Sequence, residues 1–102
     1  MYRYTTPTLP VTIPDIDFSE VQTFRIAIEQ DQTEILKIVD VDDETVDAET
    51  NTIYVPLTQQ ETALFQEGIT EIQARIIFVS GSVMATKKGK VSVNDVLDEV
   101  IV

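Results

Sequence analysis

The chain contains no cysteine, no histidine and no tryptophan. Without cysteine there is neither a disulfide framework nor a thiolate metal site, and the redox compartment leaves no mark on the sequence. Without histidine there is no Ser–His or Cys–His nucleophile pair and no imidazole to ligate a metal. Only three glycines occur, at 68, 81 and 89, so no glycine-rich phosphate loop exists. Apolar runs are short as well. The longest, Ile76 to Val79, falls far below the roughly 20 residues of a membrane span. The opening, MYRYTTPTLP, lacks the apolar stretch of a signal sequence and carries prolines at 7 and 10. The chain is therefore expected to be made soluble in a cytoplasm.

Positive charge is scarce too. Seven basic residues face eighteen acids, for a net charge of −11. A polyanion gains nothing from counterion release on nucleic acid and is repelled by anionic lipid, so neither nucleic acid nor membrane is an expected partner. The one basic cluster, Lys87, Lys88 and Lys90, is too small to reverse that field. What remains is a 102-residue chain, 43% hydrophobic with a mean hydropathy of +0.04. That is enough for one folded domain over residues 1–102 and no second core.

Alternation dominates what is there. Phe24, Ile26 and Ile28 alternate with Arg25, Ala27 and Glu29, the period of a half-buried strand. EILKIVDV continues the pattern with Leu36 and Ile38 on one face and Ile35, Lys37 and Val39 on the other. The polar EQDQTE between them predicts a hairpin. In TIYVPLT, Ile53, Val55 and Leu57 share a face, and Pro56 argues for an edge strand or a strand end. Ile72, Ala74, Ile76 and Phe78 form the clearest strand of a long hairpin that turns at Ser80-Gly81-Ser82, with Gly89 marking a bulge before KVSV. LPVTIP reads as an edge strand or arm. LTQQETALFQEG breaks the pattern: Thr58 and Glu61 have capping-box spacing and Gly68 suits a helix stop. This predicts a helix of about two turns. The expected fold is all-β: a small antiparallel immunoglobulin-like β-sandwich of at most seven strands, with one short helix in a crossover connection.

Two regions could carry chemistry or recognition. DVDDETVDAETN, residues 40–51, packs six acids into twelve positions. An EF-hand calcium loop started at Asp40 needs glycine at its sixth position and a bidentate glutamate at its twelfth, and finds Thr45 and Asn51. The stretch therefore reads as a polar turn between strands. Asp40, Asp42, Asp43 and Glu44 stand as the ligand candidates for a rival reading, a calcium- or carbohydrate-binding accessory module. Acid–base work by paired carboxylates needs one of them in an apolar pocket, and these acids fall mostly in polar loops or on outward strand positions. No enzyme activity, catalytic residue, cofactor or resident metal is expected.

The ends are the second region. Tyr2 and Tyr4 flank Arg3 in a segment, residues 1–8, that reads either as an arm of aromatic interface anchors or as a flap folded over an open end of the sandwich. The tail, residues 94–102, runs VNDVLDEVIV from Val93 and finishes on Val100, Ile101 and Val102. Val96 with Val100, and Leu97 with Ile101, have helical spacing, though an extended form fits equally. An apolar tail either docks on its own core or on a neighbouring subunit.

Three stretches carry a resemblance: YRYTTPTLPVTIPDIDFSEVQTFRIAIEQ, VPLTQQETALFQEG, and IQARIIFVSGSVMATKKGKVSVNDVLDEVI. Together they resemble small proteins encoded in tail modules of phages and prophages of Firmicutes and, more loosely, the N-terminal domain of phage baseplate upper proteins. The most specific parts are the element from Leu57 to Phe65 and the segment from Val93 to Ile101. The resemblance implies a non-enzymatic tail or baseplate structural or adaptor protein. Such a protein is made in the cytoplasm of a bacterial host and built into the virion through contacts with other tail or baseplate proteins, homo-oligomers included. A tail-assembly factor absent from the mature virion is the alternative within the same family. The baseplate proteins continue into a receptor-binding region where this chain stops, so that role does not transfer. Tyr2, Tyr4, Val100 and Ile101 are the expected partner contacts.

Overall fold

The computed structural model describes residues 1–42 and 44–102; the ligand candidate Asp43 lies outside the described residues. Among them eight strands form: β1 (Thr8–Thr12), β2 (Val21–Gln30), β3 (Thr33–Asp40), β4 (Val46–Asp47), β5 (Thr52–Pro56), β6 (Gly68–Phe78), β7 (Val83–Ala85) and β8 (Gly89–Val93). One helix, α1 (Gln59–Ala63), joins β5 to β6. Eight exceeds the expected seven because the two-residue β4 is too short to show a period.

The strands make two antiparallel sheets, β1-β5-β4 and β3-β2-β6, with β7 and β8 both paired to the far edge of β6. In immunoglobulin lettering, β1, β4 and β5 occupy the places of B, D and E. β2, β3 and β6 occupy those of C, C′ and F, and β7 and β8 share that of G. No strand stands in the place of A among the described residues. The chain is thus an all-β sandwich, and among the described residues its one α-helix lies in the crossover between sheets.

Alternation builds the core. Phe24, Ile26 and Ile28 from β2, Ala74 and Ile76 from β6, and Ile53 and Val55 from β5 are all buried in one apolar cluster. Phe18, held by a short 3-10 turn that Asp17 caps, meets Phe24 edge to face at 5.9 Å. The β2–β3 hairpin turns in two residues, and Asp31 takes the left-handed φ of 52° that such a tight turn needs and that aspartate tolerates.

Two glycines behave differently from one another. Between the Ile72–Gly89 and Arg75–Ala85 pairs, β6 has two residues, Gln73 and Ala74, where the facing chain has three, Thr86 to Lys88. The extra residue is a bulge lying immediately before Gly89, as the sequence predicts. A Cβ at Gly89 would come within 3.3 Å of the Ile72 side chain. Gly68, by contrast, does not stop the helix. α1 closes five residues earlier, with Leu64 as its C-cap, and Gly68 opens β6 at a φ of 141° that side chains rarely adopt. The helix is accordingly shorter than the two turns expected. Its start matches: Thr58 accepts from the Glu61 amide while the Glu61 carboxylate accepts from the Thr58 amide, a complete capping box.

Candidate partner-binding surface

The two ends of the chain meet at one pole of the sandwich beside α1. Tyr2 and Asn94 form a parallel β-bridge, with the Arg3 amide donating to Asn94 O at 2.9 Å and the Asn94 amide donating to Met1 O at 2.8 Å. Thr62, fully buried on α1, ties the next residues: its hydroxyl accepts from the Thr5 amide and donates to Thr5 O. Segment 1–8 is therefore no free arm. Its first residues are fastened to the body, and its last begins β1.

Arg3 is the fastener. Its guanidinium donates through Nε to Phe65 O and through Nη2 to Ala63 O at 3.0 Å, while Nη1 reaches Asp95 at 2.9 Å and Glu99 at 3.1 Å. Only 8% of the side chain is exposed. Carbonyls at the end of a helix have no intrahelical partner and carry partial negative charge, so a planar cation with several donors satisfies them well. The hydrogen bond to Asp95 and the charges of Glu99 and Asp95 push the guanidinium further up than usual and outweigh the cost of its burial. Arg3 also lies 5.2 Å from the centre of the Tyr4 ring, and Tyr4 has a left-handed φ of 58°.

A second charged pair braces the same helix. Lys37 Nζ, on β3, donates to both Glu61 oxygens at 2.9 and 3.1 Å. Burial pushes the Glu61 carboxyl up, but the hydrogen bonds from Lys37 and Thr58 together hold it below its ordinary value. Gln59 then pins the tail: its side chain donates to Val102 O and accepts from the Val102 amide.

Around this fastened pole, apolar side chains face water. Tyr2 is 56% exposed, Val100 59% and Ile101 43%, with Leu64, Leu97 and Val102 exposed beside them, while Tyr4 is half-buried against Arg3. Residues 95–102 form no helix, so the spacing of Val96 with Val100 is not used, and most of the tail's apolar side chains stay off the core. Asp95 and Glu99 both turn to the same Arg3 nitrogen, on either side of a bend at Leu97, and residues 95–102 take no regular structure. Sequence reasoning singled out the tyrosines and missed Arg3 between them. The available signal was charge: Arg3 is the only basic residue before Arg25, and the tail is acidic.

The sequence predicts a single polar turn for the acidic stretch; its described residues instead form turns on either side of the short strand β4, which pairs with β5. Asp42 Oδ1 accepts from the Glu44 and Thr45 amides, and the Thr45 hydroxyl donates to Asp40 O, so the loop's polar atoms close on one another. Asp40 ends β3 and Glu44 is exposed. Among the described residues no three Asp, Glu, His or Cys side chains are grouped to hold a metal ion. No described helix is long and apolar enough to cross a membrane. No protein-family model, curated protein or solved structure matches the chain.

Proposed function

We propose that this chain is a non-enzymatic structural or adaptor protein of a phage tail or baseplate, acting through protein–protein contacts. Its support is the resemblance of the three sequence stretches named above. The mode of action rests on one structural observation. Exposed apolar residues from both ends of the chain are collected on one pole, and a buried arginine holds them in place. A backbone already held in place loses little freedom on binding, which favours affinity. Tyr2, Tyr4, Val100 and Ile101 are the contact residues in this reading, other tail or baseplate proteins the partners, and the virion the destination.

Mass spectrometry of purified virions, after induction of the prophage that carries the gene, tests the proposal. The chain is expected in particles at a copy number that is a multiple of the tail symmetry. Presence in the lysate with absence from particles would make it an assembly factor instead. In the same system the full chain carrying Tyr2→Ser, Val100→Ser and Ile101→Ser, with Arg3 kept, should fold normally and fail to enter particles. Normal incorporation of that variant would remove the ends from the contact.

A further inference from the structure

Each long strand edge carries a device that discourages addition of another strand. The Leu57 amide donates to Pro7 O and the Ile13 amide to Asn51 O, so Thr8, Pro10 and Thr12 turn their backbone away from β5. Pro10, in the middle of that free edge, has no amide hydrogen to offer. The opposite edge is broken by the bulge at Thr86–Lys88 and rimmed by three lysines. On β3, Lys37 points inward between Ile35 and Val39 and is locked to Glu61. The open groove of about 530 Å³ between β1 and β8 is thus poorly suited to strand exchange. Recognition is left to surfaces other than the strand edges.

On the outer face of the larger sheet the charge is out of place. Arg25 on β2 stands directly opposite Arg75 on β6, and like charges so placed destabilise a sheet. Ile38 follows Arg25 on one side of this row and Ala85 follows Arg75 on the other. Among the described residues neither arginine has a carboxylate partner, in a chain with eighteen acids. The nearest acid by register, Asp40, is paired with Thr23, diagonally across from Arg25. Leu36, Ile38 and Val83 surround the pair at 44%, 60% and 49% exposure. Arginine among exposed aliphatics is the composition of an interface hot spot.

The tail mirrors this face. Asp98 has no hydrogen bond or ion pair among the described residues, unlike Asp95 and Glu99, and it sits between Leu97 and Val100 in an exposed segment. We infer that the Arg25–Arg75 face receives the Leu97–Val102 segment of a second copy of this chain, the two arginines closing on its Asp98. The face against itself would set four guanidiniums together, and the tail against itself would oppose carboxylates. Face against tail is the complementary pairing. Such a contact is either reciprocated within a two-fold dimer or repeated head to tail, building rings where the rotation closes and open chains where it does not. The inference concerns the purified chain alone and does not rest on the phage reading.

Sedimentation velocity of the full chain from micromolar to near-millimolar concentration tests it. The wild type should associate to a dimer or larger species as concentration rises. Arg25→Glu with Arg75→Glu should weaken this by roughly 100-fold or more, as expected for reversed charge at a desolvated contact. Leu97→Ser with Asp98→Asn should also weaken association. Mixed together, these two variants retain one working face and one working tail, and should form a 1:1 complex that grows no further. Arg75→Gln should weaken association while leaving the thermal midpoint equal or higher, because it relieves a like-charge pair. A wild type that stays monomeric, a mixture that does not pair, or a destabilised Arg75→Gln overturns the inference. A chain that is monomeric in solution yet present in virions would sink the self-association and leave the adaptor proposal standing.

Discussion

Replacing Arg3 with alanine should cost this small domain a large part of its stability, although the residue lies at the third position of the chain. Two charge-assisted hydrogen bonds to the carbonyls of Ala63 and Phe65 are lost, worth about 1.5–3 kcal/mol each where water cannot replace them. The ion pairs add less. Asp95 and Glu99 are 46% and 53% exposed, so their solvated pairing contributes at most about 1 kcal/mol each. Water entering the vacated space recovers part of the carbonyl cost, which leaves a net loss of about 3 kcal/mol. For a domain of this length that is a drop in thermal midpoint of about 12–24 °C. Arg3→Lys keeps the charge but offers a point donor where a fork is needed, and should fall about midway. Urea titration should show the midpoint shifting without a change in slope, the mark of altered stability and not of an altered unfolded state. An Arg3→Ala protein with the wild-type midpoint would refute the reasoning, and would mean that the ends lie on the sandwich without supporting it.

Three further outcomes are expected. Glu61 has a depressed folded-state value, so its contribution is fully present above its ordinary value of 4.5 and is lost as pH falls through the folded value; Glu61→Gln should flatten that acid limb and cost about 1 kcal/mol at neutral pH through the weakened cap, read by denaturation from pH 7 to 3. Thr62→Val keeps shape but strands the amide and carbonyl of Thr5, for a loss of about 1–3 kcal/mol by chemical denaturation and faster amide exchange at Thr5. Millimolar calcium should leave the thermal midpoint unchanged, since Asp42 already spends an oxygen on two backbone amides; a rise would revive the calcium-binding reading.

How much of this was legible in the sequence varies with the range of the interaction. The β2–β3 hairpin, the inward faces of β2, β5 and β6, the capping box and the bulge before Gly89 all follow from patterns spanning fewer than about a dozen residues. The pairing of the hairpins into a B-E-D sheet facing a C′-C-F-G sheet fits the immunoglobulin-like expectation, with the place of strand A empty among the described residues. The helix end was misjudged because Gly68 suits both a helix stop and the start of a strand at positive φ, and local pattern does not distinguish them.

The candidate surface divides along the same line. Sequence pointed to Tyr2, Tyr4, Val100 and Ile101 through composition at the two ends, where apolar residues had no period to place them in a core. Only the folded chain brings Arg3 within 3.1 Å of Asp95 and Glu99, across more than ninety residues, or sets Arg25 opposite Arg75 through a register fixed by burial of their neighbours. Alternation of side chains is a property of consecutive residues, so the sequence by itself determined the longer strands and their inward faces, while the two-residue β4 left no pattern. Which charges meet depends on how sheets stack and where ends return, and that was decided by burying Phe24, Ile26, Ile53 and Val55 in one core. Tertiary packing alone therefore turned a lone arginine beside two tyrosines into the clasp that holds the pole together.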